Sequence, residues 1–144
     1  FMVIETKAFG KIEVSEKQKI YFEQGILGFE DIHFFYLLDF PEGDAPFFWL
    51  QSEDYPEIAF ILISPDVVVP DYKLVADAKE YEAIDITNDN EILVFSIVTI
   101  YDNPENSTVN MLGPIVINKR NKKARQMISL DDKYTVRHPL IKKG

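Results

Sequence analysis

Short apolar runs broken by turn-forming clusters recur along the whole chain. In Gly10-Lys11-Ile12-Glu13-Val14, Ile12 and Val14 fall on one face and Lys11 and Glu13 on the other, the period-two pattern of a half-buried strand. Lys19-Ile20-Tyr21-Phe22 continues it, and Phe34 to Leu38 predicts the next strand. Further strands are predicted at Phe47 to Leu50, Ile58 to Ile63, Ile92 to Tyr101, Ile115 to Ile117 and Gln126 to Leu130. Between them lie GILGF, with Gly25 and Gly28 free to take positive φ, and the turn cluster Pro41-Glu42-Gly43-Asp44. Pro65, Pro70, Pro104 and Pro114 sit at run edges, where a missing N–H does least harm to a strand ladder.

One short helix is expected. Asp77 caps it, Glu80 three residues on completes an acidic capping box, and Ala78, Tyr81 and Ile84 form its buried stripe. Many short strands separated by turns predict an all-β sandwich or barrel. IAFILI and ILVFSIV are apolar on both faces, so each strand must be covered twice. One face meets the core. The other meets the helix, a long loop or a partner, and an uncovered apolar face would be a binding site.

The chain's 144 residues suit a single domain, read as residues 2–141, with Phe1 read as a tag remnant before Met2. No run approaches the roughly 18–20 apolar residues that span a bilayer, and no secretory leader pattern opens the chain, so the cytoplasm is the expected location. There is no cysteine, which removes disulfides, thiolate metal sites and a cysteine nucleophile.

Charge changes the picture more. Residues 2–118 hold 6 Lys and Arg against 22 Asp and Glu, whereas residues 119–144 hold 9 against 2. No Lys or Arg occurs from Ile20 to Tyr72. Such a body repels nucleic acid and anionic membrane, and it speeds encounter with basic proteins. The one basic run, Asn118 to Arg125, lies between two predicted strands and has no interleaved aromatic for stacking on bases. It reads as an exposed hairpin tip that can pair with the acidic body, not as an RNA site.

Candidate chemistry is thin. The nucleophile-elbow, P-loop and zinc-protease signatures are all missing. Asp85, Asn88, Asp89, Asn90 and Glu91 crowd one loop without the EF-hand spacing or its glycine. His33 reads as a polar strand-edge residue and His138 as part of a satisfied tail. The expectation is a non-enzymatic protein with no cofactor and no metal. Trp49, inside an apolar run, reads as core. Asn110, Leu112 and Pro114 read as a structural turn into the IVI strand.

Five pieces in order, MVIETKAFGKIEV, GILGFED, PFFWLQS, DNPENSTVNMLGPIVIN and RHPL, resemble the FliW family of flagellar assembly factors from Met2 to about Leu140. The resemblance implies a small, partly open antiparallel β-barrel-like domain with one short helix. It implies a cytoplasmic regulator that binds flagellin and alternatively captures CsrA, the small RNA-binding protein that represses flagellin translation. The alternative is a dedicated flagellin chaperone without a role in translation control, its doubly apolar sheet shielding a flagellin helix. Charge and loop position, rather than the resemblance, select the candidate partner-binding residues. Glu53, Asp54 and Tyr55 follow the Trp49 strand, with Glu42 and Asp44 in the preceding turn. Asp102, Asn103, Glu105 and Asn106 follow ILVFSIVTIY and form a second patch. Apolar and aromatic groups beside acid would supply anchors as well as steering.

Overall fold

The computed structural model describes residues 2–40 and 46–142. Its strands are β1 (Met2–Thr6), β2 (Gly10–Val14), β3 (Lys19–Phe22), β4 (Phe34–Asp39), β5 (Phe47–Ser52), β6 (Ala59–Ile63), β7 (Ile92–Thr99), β8 (Thr108–Val109), β9 (Ile115–Asn118), β10 (Lys123–Gln126) and β11 (His138–Pro139). Two short helices, α1 (Pro65–Val68) and α2 (Ala78–Glu82), lie between β6 and β7.

Seven strands close into a barrel in the order β7, β6, β5, β4, β3, β10, β9, and β9 pairs back onto β7. The mainly β, barrel-like architecture is the one expected, and closure is complete. All but one of the barrel pairs are antiparallel; β3 and β10 run parallel, with Lys123 opposite Tyr21 and Ala124 opposite Phe22. β8 adds to the far half of β7, and β11 adds to β8. β1 and β2 form a separate two-stranded ribbon.

Alternation explains the doubly apolar strands. Phe35 and Leu37 of β4, Leu50 of β5, Leu62 of β6, Phe95 of β7 and Ile115 and Ile117 of β9 fill the barrel interior. The intervening residues point outward and are covered by the chain's own outer elements. The ribbon lays Ile4 and Val14 over Tyr36, Leu38 and Trp49. α2 and its flanks place Ile84 and Tyr81 over Val116, Ile92 and Val94. The segment after α1 and the C-terminal stretch put Val68, Tyr72, Tyr134 and Leu140 over Ile61, Ile63 and Val98. Trp49 is therefore packed, half-buried, against Phe9 with ring centroids 4.7 Å apart.

Several boundaries differ from expectation for local reasons. α1 is an addition to the expected elements; Pro65 starts it, because proline fits a first helical turn and cannot donate in a continued ladder. Asp77 caps α2 by accepting from the Lys79 N–H at 3.0 Å, but Glu80 does not complete the box; it binds Arg125 instead. Ile84 is buried and Tyr81 packs, whereas Ala78 is exposed, because a helix this short presents little more than its C-terminal side to the barrel. The strand predicted at Gln126 to Leu130 is displaced: β10 is Lys123–Gln126, where Ala124 points inward beside Ile117.

Candidate functional site

Strand direction decides which loops meet. In the β6–β7 register Ile61 faces Val98 and Ile63 faces Ser96, so the start of β6 lies beside the end of β7. The loop entering β6 (residues 53–58) and the loop leaving β7 (residues 100–107) therefore share one end of the barrel. Phe35 faces Ser52, and Tyr21 faces Phe34, so the segment joining β3 to β4 (residues 23–33) opens at this end too. Two patches chosen separately from the sequence are thus neighbours. Glu42 and Asp44 lie outside the described residues.

The 53–58 loop is built from its first strand outward. Gln51 is fully buried, and its amide nitrogen donates to the carbonyls of Pro56 and Ile58, each at 3.2 Å. Ser52 Oγ accepts from the Tyr55 N–H at 3.1 Å, and the Lys7 N–H reaches the Pro56 carbonyl at 2.8 Å, tying the loop to the β1–β2 ribbon. Asp54, Tyr55 and Glu57 are left on the outside.

Glu53 behaves differently from its neighbours. Its carboxylate is paired with Lys19 Nζ at 3.0 Å, and that ammonium also stands 4.7 Å over the Phe34 ring. The hydrogen bond to Glu53 raises the Lys19 pKa above its ordinary value. The neighbouring Tyr36 hydroxyl is buried without a hydrogen-bond partner among the described residues, and burial, with the Glu53 charge adding, pushes its pKa up. Glu53 thus holds the barrel end together, and Asp54 and Glu57 carry the free acid of this loop.

In the second patch Asp102, Asn103, Glu105 and Asn106 are all exposed, flanked by Ile100 and Tyr101 at 49% and 46% exposure. Asn103 also shapes the loop, since its side chain accepts from the Glu105 N–H at 3.2 Å and caps the 3-10 turn Pro104–Asn106. Ser107, buried, accepts from the Tyr101 N–H at 3.3 Å. The result is acid interleaved with apolar and aromatic surface. Ile100 and Tyr101 are hidden from a reading of the sequence because they continue the β7 apolar run, and nothing local tells where pairing stops.

The basic run folds onto acid at the other end of the barrel. Arg120 Nε lies 2.8 Å from Glu91, Lys123 Nζ 3.1 Å from Asp85, and Arg125 Nε 2.5 Å from Glu80. Its bond to Arg120, helped by Thr87, draws the Glu91 carboxyl down to about 2. Three of the run's charges are therefore matched within the chain, and Asp85 and Glu91 have lysine and arginine for partners. Among the described residues no cluster of histidine, aspartate or glutamate has metal-site geometry. His33 Nδ1 sits 2.8 Å from the Phe22 carbonyl, a strand-edge contact. Asn110 Oδ1 accepts from the N–H groups of Leu112 and Gly113, closing the turn into β9.

Residues 3–140 match the family model described as FliW protein. A flagellar assembly factor FliW of Caldanaerobacter subterraneus subsp. tengcongensis is 42% identical over 140 residues, covering 97% of this chain and 93% of its own. The flagellar assembly factor FliW of Bacillus subtilis is 38% identical over 139 residues, covering 96% of each chain. A crystal structure of a flagellar assembly factor FliW superposes with a TM-score of 0.90 at 34% identity, covering 99% of both chains.

Proposed function

From the premise that this chain belongs to the FliW family of flagellar assembly factors, we propose that it is a non-enzymatic cytoplasmic binding protein that holds flagellin and alternatively sequesters CsrA. Capture of CsrA would relieve repression of flagellin translation when flagellin is exported. One observation carries this reading: the acid of the 23–33 and 53–58 segments, both within a stretch free of Lys and Arg, and the acid of the 100–106 loop share one barrel end, beside exposed aromatic groups. An RNA-binding regulator must carry positive charge, and an opposed acidic surface raises its association rate and selectivity. Three cations of the basic run, Arg120, Lys123 and Arg125, are paired with Glu91, Asp85 and Glu80, which lowers the positive charge that the run could offer to RNA.

The chaperone alternative rests on an uncovered sheet face that could shelter a flagellin helix. The outer faces of β4 to β7 are covered by the ribbon, α1, α2 and the C-terminal stretch, which weakens that reason. The deciding experiment is calorimetric titration with CsrA from the same organism, with and without saturating flagellin, at two salt concentrations. Salt-weakened binding that flagellin abolishes is expected. Binding indifferent to flagellin would remove the switch, and no binding to CsrA would leave only a flagellin-handling role.

A further inference from the structure

The segment from Glu23 to His33 closes the barrel mouth and holds Leu27, its most exposed apolar side chain, outward. Ile26 and Ile32 are buried in the barrel core, and the Phe29 ring meets Phe60 with centroids 5.2 Å apart. Between these inward anchors the chain makes a tight turn: the Phe29 N–H donates to the Ile26 carbonyl at 2.6 Å, with Gly28 at φ +90°. Gly25, at φ +65°, has no room for a side chain, since a Cβ there would lie 2.5 Å from the Phe29 carbonyl oxygen. The two amides at the tip are capped by side chains. Leu27 N–H donates to Gln126 Oε1 at 3.0 Å, and Gly28 N–H donates to Glu30 Oε2 at 2.7 Å.

Leu27 stands on this rigid tip with 77% of its surface exposed. A lone exposed leucine carries little information. Here two glycines, two side-chain caps, the buried Ile26 and Ile32 and the contact of Phe29 with Phe60 fix the backbone that carries it, so a partner would meet it with little backbone left to order. Gln126, which caps the Leu27 amide, also donates to the Gly113 carbonyl, and Ile128, half-exposed, lies against Gly113. Leu27 and Ile128 thus flank one side-chain bridge. Glu23, Glu30 and Asp31 are exposed around the tip, and no Lys or Arg occurs from Ile20 to Tyr72.

We infer that Leu27 is a preformed apolar anchor that inserts into an apolar pocket on a basic protein partner, with the surrounding acid steering the approach. This rests on the reading of the barrel end as the surface for CsrA. The two contributions separate kinetically: acid governs association and salt dependence, whereas a desolvated leucine governs dissociation.

The test measures association and dissociation rates of CsrA on the full chain and on its Leu27→Ser, Leu27→Ala and Leu27→Met variants, with melting temperatures alongside. Because the Leu27 side chain is exposed and belongs to none of the core clusters, the melting temperature is expected to stay that of the parent. Leu27→Ser is expected to raise the dissociation rate about 10- to 100-fold, the range corresponding to loss of one buried leucine, with Leu27→Ala in the same direction. Its salt slope should remain unchanged, and Leu27→Met should restore most of the affinity. Parent-like dissociation of Leu27→Ser would overturn the anchor and leave the CsrA reading standing. Failure of the unaltered protein to bind CsrA would remove both.

Discussion

Trp49 donates its indole N–H to the side-chain oxygen of Gln51 at 2.9 Å, while the amide nitrogen of the same glutamine donates into the loop that follows. The two side chains join the packed outer face of β5 to the surface loop carrying Asp54 and Tyr55. Replacing Gln51 by leucine keeps the volume and removes both ends of the link. The Trp49 N–H then loses its partner, while the Pro56 and Ile58 carbonyls lose one donor each and keep the Lys7 and Ser52 N–H groups. The expected cost is about 1–3 kcal/mol for the hydrogen bonds lost. Chemical denaturation should show it, and hydrogen exchange should show faster exchange confined to residues 53–58. Uniformly faster exchange across the barrel would contradict a local role.

Much of the barrel is legible in the sequence because its strands follow a period of two. β2, β3 and β4 stand where alternation places them, and the doubly apolar runs correctly demand two coverings. Which element supplies each covering is not legible, because the ribbon's Ile4 and Val14 meet Tyr36 and Leu38 only through the tertiary fold. β10 escapes local pattern because its charged residues are satisfied from afar: Lys123 by Asp85 and Arg125 by Glu80, partners 38 and 45 positions away. Composition picks out the candidate loops, but their shared location needs the β6–β7 register. The same blindness conceals Lys19, which lies just outside the stretch lacking positive charge and neutralises Glu53.

Tyrosine burial sets the alkaline limit. Burial pushes the pKa values of Tyr36, Tyr72 and Tyr81 above their ordinary value of 10.0. The unfolded chain therefore loses these protons first, and stability falls as pH rises above about 10. Lys19, also raised, acts in the same direction, its contribution being lost as pH climbs through its folded value. Tyr72 donates to the Met111 carbonyl at 2.9 Å, so Tyr72→Phe should cost about 1 kcal/mol at pH 7. The variant should also lose stability less steeply between pH 9 and 11 (about one unit either side of an ordinary tyrosine). Parallel melting curves for parent and variant across that window would refute the assignment.

The acid limb has a different origin. Glu91, drawn from 4.5 to about 2, accepts from Arg120 and from both the N–H and hydroxyl of Thr87. A depressed carboxyl contributes its full stabilisation above the unfolded value and loses it as pH falls through the folded one. Glu91→Gln should therefore melt below the parent at pH 7, and the gap should narrow between pH 4.5 and about 2. A gap constant with pH would mean that the amide replaces the carboxylate fully and that the Arg120 link contributes no charge-dependent stability.

Charge reversal at the shared barrel end distinguishes steering from anchoring. Glu53 is a poor choice, because reversing it would set two cations against each other where Lys19 now pairs with it. Asp54 and Glu57 on one loop, and Asp102 and Glu105 on the other, are exposed and make no ion pair shorter than 4.0 Å among the described residues. Asp54→Lys with Glu57→Lys, or Asp102→Lys with Glu105→Lys, should slow association with CsrA by about tenfold or more at low salt. Dissociation should change little, and the effect should shrink as salt rises beyond about 0.15 M, where the screening length falls to roughly 8 Å. If both loops face the partner together, reversing all four should slow association more than either pair. Rapid-mixing kinetics across a salt series reads each of these directly. An association rate unchanged by either pair would place the partner elsewhere on the barrel, and an effect from one pair alone would assign the approach to that loop.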